Sequence, residues 1–292
     1  MQVKQYIGNK FRNLTLNSYP GLYRPDSSPF ISGDTFRKFS DHIFDETKTL
    51  DPKKVKKNDI VFLRTDLKDI YFKHYHQKIL EPYIVLMHNS DDSFEEKDIS
   101  KIDEKIIHCF SQNLNIEKTK KISPLPIGFE NHRFRNNGKV DNLKKASKFN
   151  NFKKQEIFSS FNVNTNLKIR LPIMNTIRNN DNITFGTYDD NLEYLEELSR
   201  FKFNLCPSGN GLDTHRVWES LLVNTYPIVH LNNTNINLYN MGVPLILQEN
   251  LEDISESIIL KIIEQNILKK NPNNEKFITF HYWRDLISSK KI

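Results

Sequence analysis

The densest chemistry in the chain lies in the run Phe203-Asn204-Leu205-Cys206-Pro207-Ser208-Gly209-Asn210-Gly211-Leu212-Asp213-Thr214-His215-Arg216-Val217-Trp218-Glu219. It reads as a buried strand, a glycine loop and a helix beginning at Asp213 or Thr214. A loop of that kind at the carboxyl end of a strand lets backbone amides and a helix N-terminus approach an anion closely. His215 and Arg216 fall in the first turn, and Glu219 follows them at i+4 and i+3, so the three share one face. Arg216 is suited to clamp phosphate oxygens, and Glu219 to accept hydrogen bonds from a ribose diol. Ser208, Gly209, Asn210, Gly211 and Asp213 complete the expected donor-side loop. Each feature alone has a plain structural explanation, a tight turn or an i,i+3 ion pair; their conjunction favours a nucleotide. The third glycine of a dinucleotide fingerprint is missing, Thr214 standing in its place, and no Gly-Lys-Ser/Thr follows a glycine loop.

Such a loop needs strands and helices in alternation, and the sequence supplies them twice. Ile60 to Leu63 and Tyr83 to Met87 read as strands around a helical stretch from Leu67 to Ile79. Lys105 to Phe110 and Ile122 to Gly128 read as two more strands. Pro124 and Pro126 place the last of these at an edge or an end. Asn131 to Lys154, rich in Asn and Lys, reads as a linker or a long surface loop. Beyond it, strands are expected at Glu156 to Val163, Ile183 to Phe185, Phe201 to Cys206 and Pro227 to Val229. Helices are expected at Leu167 to Asn179, Asn191 to Ser199, Thr214 to Val223 and, as the last long one, Ser255 to Leu268. Alternation of this kind implies parallel sheets. The expectation is an α/β chain of two Rossmann-like domains, 1–150 and 151–292, with the stretch Phe277 to Trp283 packing back across the junction or serving as a peripheral membrane patch beside Lys290 and Lys291.

Composition agrees with a globular chain: 292 residues, 37% of them hydrophobic, with 20 Phe and 11 Tyr, can fill two cores. No apolar run approaches the roughly 18 residues of a membrane helix, and the opening residues lack the apolar stretch of a signal peptide. A cytoplasmic, soluble chain is the expectation. Cys109 and Cys206 sit in strand-like apolar runs, where a thiol acts as a small buried hydrophobe. The net charge of +6 would suit an anionic ligand. The lysines are spread along the chain with acidic residues between most groups, which reads as a solvated surface and argues against nucleic acid as a partner.

The glycine run resembles the donor-site signature of exostosin-like glycosyltransferases, including short bacterial and viral relatives: Pro-x-Gly-x-Gly-x-Asp-x-His-Arg-x-Trp-Glu, a Leu-rich turn, a glycine and then Pro-Ile-Val. Asn224 stands where that glycine is usual, and Asn is the next-best residue for a left-handed helix stop. Ile31-Ser32-Gly33-Asp34-Thr35-Phe36-Arg37, His88-Asn89-Ser90-Asp91 and Pro126-Ile127-Gly128 extend the resemblance into the first half. It implies a GT-B arrangement of two Rossmann-like domains facing across a cleft, with a nucleotide-diphosphate sugar as substrate, foremost a UDP-sugar or else a GDP-sugar. The acceptor implied is a hydroxyl of a glycan or glycolipid. It implies no metal and no further cofactor, Arg216 and the helix N-terminus neutralising the leaving diphosphate. On the acceptor side Arg37 and His88 are expected, His88 having a satisfied structural role as its alternative. The base candidates are Asp34 and Asp91, each of which could equally cap a helix. Arg170 is expected as a second phosphate contact or as a helix-surface arginine. The competing reading is a non-catalytic nucleotide- or glycan-binding protein on the same fold.

Overall fold

The computed structural model describes residues 24–292 except 135, 179, 253–254, 267–271 and 273. The reading of the chain's opening residues, and the expected helix ends at Asn179 and Leu268, lie outside the described residues. The chain runs α1 (Gly33–Phe39), β1 (His42–Phe44), β2 (Ile60–Arg64), α2 (Lys68–His74), β3 (Tyr83–His88), β4 (Ile106–Ser111) and β5 (Ile122–Pro124). After α3 (Val140–Ala146) come β6 (Lys154–Ser159), α4 (Leu167–Ile177), β7 (Ile183–Phe185), α5 (Asn191–Leu198), β8 (Phe201–Leu205), α6 (His215–Leu222) and β9 (Tyr226–His230). The remainder is α7 (Asn233–Asn240), β10 (Ile246–Gln248), α8 (Glu256–Asn266), α9 (Glu275–Ile278) and α10 (Phe280–Ser288). The result is a mixed α/β protein with two five-stranded parallel sheets, consistent with two Rossmann-like domains.

The first sheet runs in simple order, β1-β2-β3-β4-β5. Because parallel crossovers are right-handed, a sheet that always steps the same way carries all its connections on one face. The core shows this. Val61, Leu63, Val85, Met87 and Cys109 face a cluster with Leu50, Val55, Tyr71, Phe72, Phe94 and Leu114, all from the connections. The opposite face, with Ile60, Phe62, Ile84, Leu86 and Phe110, receives none of them. It is covered by α1 through Phe36 and by the C-terminal Trp283 and Ile287. Phe280 meets Phe36 and Phe39 edge-on at 5.6 and 5.3 Å, and an antiparallel bridge joins Phe30 to Thr279. The stretch Phe277 to Trp283 thus lies against the first sheet's helix, where Trp283 is fully buried. Burying a side chain of that size contributes about 2–3 kcal/mol.

The second sheet has the order β10-β9-β8-β6-β7. After β7 the chain reverses direction and starts the other side of β6, so helices cover both faces. Ile173, Met174 and Ile177 of α4 and Ile259 and Ile262 of α8 cover one. Leu195 and Leu198 of α5, Val217, Trp218 and Leu221 of α6, and Leu238 of α7 cover the other, in the same cluster that coats the open face of the first sheet. One core therefore joins the two sheets.

The structure corrects two expectations and bears out a third. The Asn- and Lys-rich segment holds α3, whose Val140, Leu143 and Ala146 recur on one face and are buried in the shared core. The expected last long helix forms as α8 over Glu256–Asn266, and the shorter α9 and α10 follow it. The helix at residue 33 is capped by Ser32, whose side chain accepts from the Thr35 amide, so Asp34 lies in its first turn and is not the cap. Pro124 does sit in an edge strand, as its missing amide hydrogen requires. No helix among the described residues is long and apolar enough to cross a membrane.

Candidate active site

The reversal in the second sheet separates two adjacent loops. The chain leaves β6 on one side and β8 on the other, and a crevice opens at their carboxyl ends, the place where open α/β sheets bind ligands. A cavity of about 110 Å³ lies there, lined by Ser160 after β6, Tyr188, Asp190, Asn191 and Tyr194 at the start of α5, Arg216 and Glu219 from α6, and Asn137. Arg216 holds its guanidinium 5.1 Å above the Tyr194 ring, with Nη1 3.9 Å from Glu219 Oε2. Glu219 is buried. Burial pushes the Tyr194 phenol well above its ordinary pKa, so it stays a neutral donor. Its hydroxyl is held by the Arg216 guanidinium, whereas Asn191 Oδ1 is buried with no hydrogen-bond partner among the described residues. Such an atom is costly unless something completes it.

The glycine loop is held differently from the open cradle its sequence suggests. Asn113, in a left-handed turn just after β4, reaches across from the first half. Its Oδ1 accepts from the amides of Leu212 and Asp213 at 3.1 and 3.0 Å. The Gly209 amide donates to Gly211 O at 3.1 Å. Those three amides are therefore engaged within the protein. Gly211 is required by Asn113 itself: a Cβ there would lie 2.7 Å from Asn113 Nδ2. Arg170 is neither a surface arginine nor a cavity residue. It is buried and donates to the carbonyls of Ser208, Asn162 and Pro207, and burial lowers its pKa to about 10. Ser208 Oγ donates to Leu212 O at 3.2 Å. Asp213 accepts from the Ile127 amide at 2.8 Å and from Trp218 Nε1, and burial raises its carboxyl to about 6. Ser208, Gly209, Gly211, Asp213 and Arg170 shape the loop, Asn210 is exposed, and Arg216 and Glu219 face the cavity. Cys206, just before the loop, is pushed up to about 12 by burial and remains a thiol.

A second, larger cavity of about 470 Å³ opens at the carboxyl ends of β2, β3 and β4, lined by Arg64, His88 to Asp92, Gln112, Ile127, Glu130, Asn131, Arg133 and Phe134. His215 of α6, expected on one face with Arg216 and Glu219 at the donor side, instead closes this cavity from the second half. Its Nδ1 lies 2.7 Å from Gly128 O, a carbonyl presented by a left-handed glycine whose Cβ would strike Ile31 O at 2.6 Å. Asp91 lines this cavity and is exposed. It does not cap the next helical turn, which begins at Glu96 with Glu95 as its cap.

Of the other residues expected on the acceptor side, Asp34 and Arg37 lie behind the wall and His88 is sealed within it. Asp34 is buried between Arg24 Nη1 and Arg133 Nε, each at 3.3 Å, and accepts from Asn89 Nδ2. Arg37 donates to Asp45 and Thr47 and does not line the cavity. His88 is fully used: Nε2 is 2.9 Å from Pro126 O and Nδ1 accepts from the Asn89 amide. Burial lowers its pKa to about 4, so it is a neutral, satisfied structural histidine. The sequence reading missed Asn113, Glu130, Arg133, Asn191 and Tyr194. Three came from segments that read as connectors, and the other two from a helix with nothing unusual in its letters.

No family model matches the chain. No curated protein matches it either. Among solved structures, a chain of the GtfA/B complex is similar at 12% identity and a TM-score of 0.31, over 82% of this chain and 55% of that one. This chain thus spans about half of that chain's length, 55% of it.

Proposed function

We propose that the protein is a glycosyltransferase of GT-B type that moves a sugar from a nucleotide-diphosphate donor to a hydroxyl of a glycan or glycolipid. The observation that carries this reading is the pairing of two cavities across the N-terminus of α6. The smaller holds Arg216 and Glu219 at the reversal of the second sheet, and the larger lies at the carboxyl ends of the first. A single helix start then addresses both substrates. The resemblance of residues 203–229 to the exostosin-like donor signature supports the same assignment. In it, Arg216 and the first turn of α6 carry the charge of the diphosphate. Thr214 Oγ1, buried and without a partner among the described residues, adds a polar atom at that helix start. Glu219 receives the ribose hydroxyls, and Asn191 and Tyr194 complete the pocket. Asp91 contributes a carboxylate to the acceptor cavity. A UDP-sugar is the donor proposed first and a GDP-sugar second.

The test is a thermal-shift series with UDP, GDP and CDP and their sugar conjugates, with and without magnesium. A ligand that binds only the folded state stabilises it by about 2.7 kcal/mol at a hundredfold excess over Kd. A shift selective for one nucleotide diphosphate, lost in Arg216→Ala, is the expected result. The absence of a shift with all three at millimolar concentration overturns the assignment. A shift without sugar transfer or donor hydrolysis favours a nucleotide-binding protein on the same fold.

A further inference from the structure

We propose that His215 Nε2 is the base that takes the proton from the acceptor hydroxyl, an inference that rests on the glycosyltransferase reading above. The carbonyl of Gly128 can only accept, so the Nδ1 that lies 2.7 Å from it carries the ring's hydrogen. In the neutral imidazole this leaves the lone pair on Nε2. That atom lies 3.8 Å from Glu130 Oε1, beside a residue that also lines the larger cavity. The ring is partly exposed there, with 32% of its side chain accessible, whereas His88 in the same wall is sealed. The arrangement fixes one nitrogen by a backbone acceptor and frees the other for proton transfer, which is what a general base needs.

Its position in the chain adds the second half of the argument. His215 is the residue before Arg216, and the two line different cavities from the same helical turn. A sugar whose diphosphate rests on Arg216 and the start of α6 therefore has its anomeric carbon beside the boundary that His215 faces. Asp91 is exposed on an outer loop, and Asp34 is enclosed by Arg24 and Arg133. Of the candidate bases, His215 alone belongs to the element that carries the donor contacts. In the step, the acceptor oxygen bonds to the anomeric carbon as its proton passes to Nε2. The bond from that carbon to the diphosphate oxygen breaks, and its electron pair leaves on the nucleoside diphosphate. Direct displacement with one base inverts the anomeric configuration. The ionisable groups around the ring are Glu130, Asp213 and His88, with Asp66, Asp91, Asp92, Arg64 and Arg133 lining the same cavity.

The experiment compares the full chain with His215→Asn, in which the side-chain amide can still donate to Gly128 O, and with His215→Gln. UDP-glucose, UDP-N-acetylglucosamine, UDP-glucuronic acid and GDP-fucose are the probes. Release of nucleoside diphosphate is followed between pH 5 and 9, water or an added glycan serving as acceptor, and the thermal shift with the free nucleotide is recorded alongside. The expected result is an unchanged nucleotide shift in His215→Asn with at least a hundredfold loss of release and loss of the acid limb of the wild-type pH profile. Release within tenfold of wild type in both variants, or an acid limb that persists in them, overturns the proposal. Failure of the underlying glycosyltransferase reading has a different mark, and takes the proposal with it: a wild type that shows no nucleotide shift, or that binds nucleotide and releases none from any conjugate.

Discussion

The two sheets have the same number of strands and opposite ways of making a pocket. The second sheet reverses its winding between β6 and β8, and the crevice this opens is a property of the topology, filled by side chains from α5 and α6. The first sheet never reverses, so nothing in its winding opens a crevice. Its cavity is assembled from loops at the strand ends and completed by His215, a residue of the other half. One pocket belongs to a sheet, and the other belongs to the junction between sheets. A ligand of the first kind should bind without the junction being perfect, whereas a ligand of the second depends on how firmly the halves are held together.

The largest expected effect tests that division directly. Arg216→Ala should abolish the nucleotide-dependent thermal shift and lower donor turnover by about a hundred- to a thousandfold, the loss typical of removing one preorganised charge partner. Asp91→Asn, in the junction cavity, should retain the nucleotide shift in full. Calorimetric titration of both variants with UDP and GDP checks this. Equal losses of nucleotide affinity would break the comparison by making the two cavities one site.

The same division decides what the letters revealed. Near-continuous apolar runs gave away β2, β3 and β9, because a strand covered on both faces has few polar positions to hide it; β8 was legible through Phe201, Phe203 and Leu205 despite Lys202 and Asn204 between them. The glycine loop with Arg216 and Glu219 was legible because it is local. The junction was not. α7, Asn-Thr-Asn-Ile-Asn-Leu-Tyr-Asn, has no apolar stripe to announce a helix. It is held instead by Thr234 and Asn237 donating to the carbonyls of Leu114 and Ile116, with the Lys118 amide donating back to Asn237. Those partners lie more than a hundred residues away in sequence, so no window contains both. Asn113 and Glu130 were missed for the same reason: their meaning comes from residues 212 and 215 in the other half. His88, in contrast, carried its structural alternative from the start, and two filled nitrogens bear that alternative out.

How firmly the junction is held can be read from Asn113 and Gly211. Gly211→Ala places a methyl group 2.7 Å from Asn113 Nδ2 and should destabilise the fold by about 1–3 kcal/mol. Asn113→Ala leaves the amides of Leu212 and Asp213 without their acceptor and should destabilise by about 2–4 kcal/mol. The double variant should be more stable than the sum of the two predicts, because the methyl then occupies the vacated space. Urea unfolding of the three variants measures the coupling. Additive losses would show that the loop and the β4 end do not meet as described.

A smaller effect follows from Asp213, which ties the loop to Ile127 across the junction. Burial raises its carboxyl from 3.8 to about 6 in the folded protein. Between those values the folded state holds more protons than the unfolded chain, so this group's contribution to stability is complete below pH 3.8, shrinks as the pH rises, and is gone above about 6. The difference amounts to at most ~3 kcal/mol. Comparing the wild type with Asp213→Asn by chemical denaturation across pH 4 to 7 should show a flatter profile in the variant. Parallel profiles would mean that the carboxylate is not sealed at the junction.

The smallest effect lies at the far end of α6, away from both cavities, and serves as the control. α6 ends in a turn where the Thr225 amide donates to Ser220 O and the Asn224 amide to Leu221 O, with Asn224 at φ +59°. That pattern needs a residue at ease in the left-handed region, which glycine is, asparagine nearly so, and alanine is not. Asn224→Gly should leave stability within a few tenths of a kcal/mol of wild type, and Asn224→Ala should lower it by about 1 kcal/mol. Asn224 lines neither of the two cavities, so acceptor-side chemistry should survive both changes wherever the protein stays folded. A loss of transfer in Asn224→Ala beyond its loss of folded protein would mean that the angle of α6, and with it the placing of His215 against Gly128, is set from the far end of the helix. The two pockets would then be coupled through the helix they share.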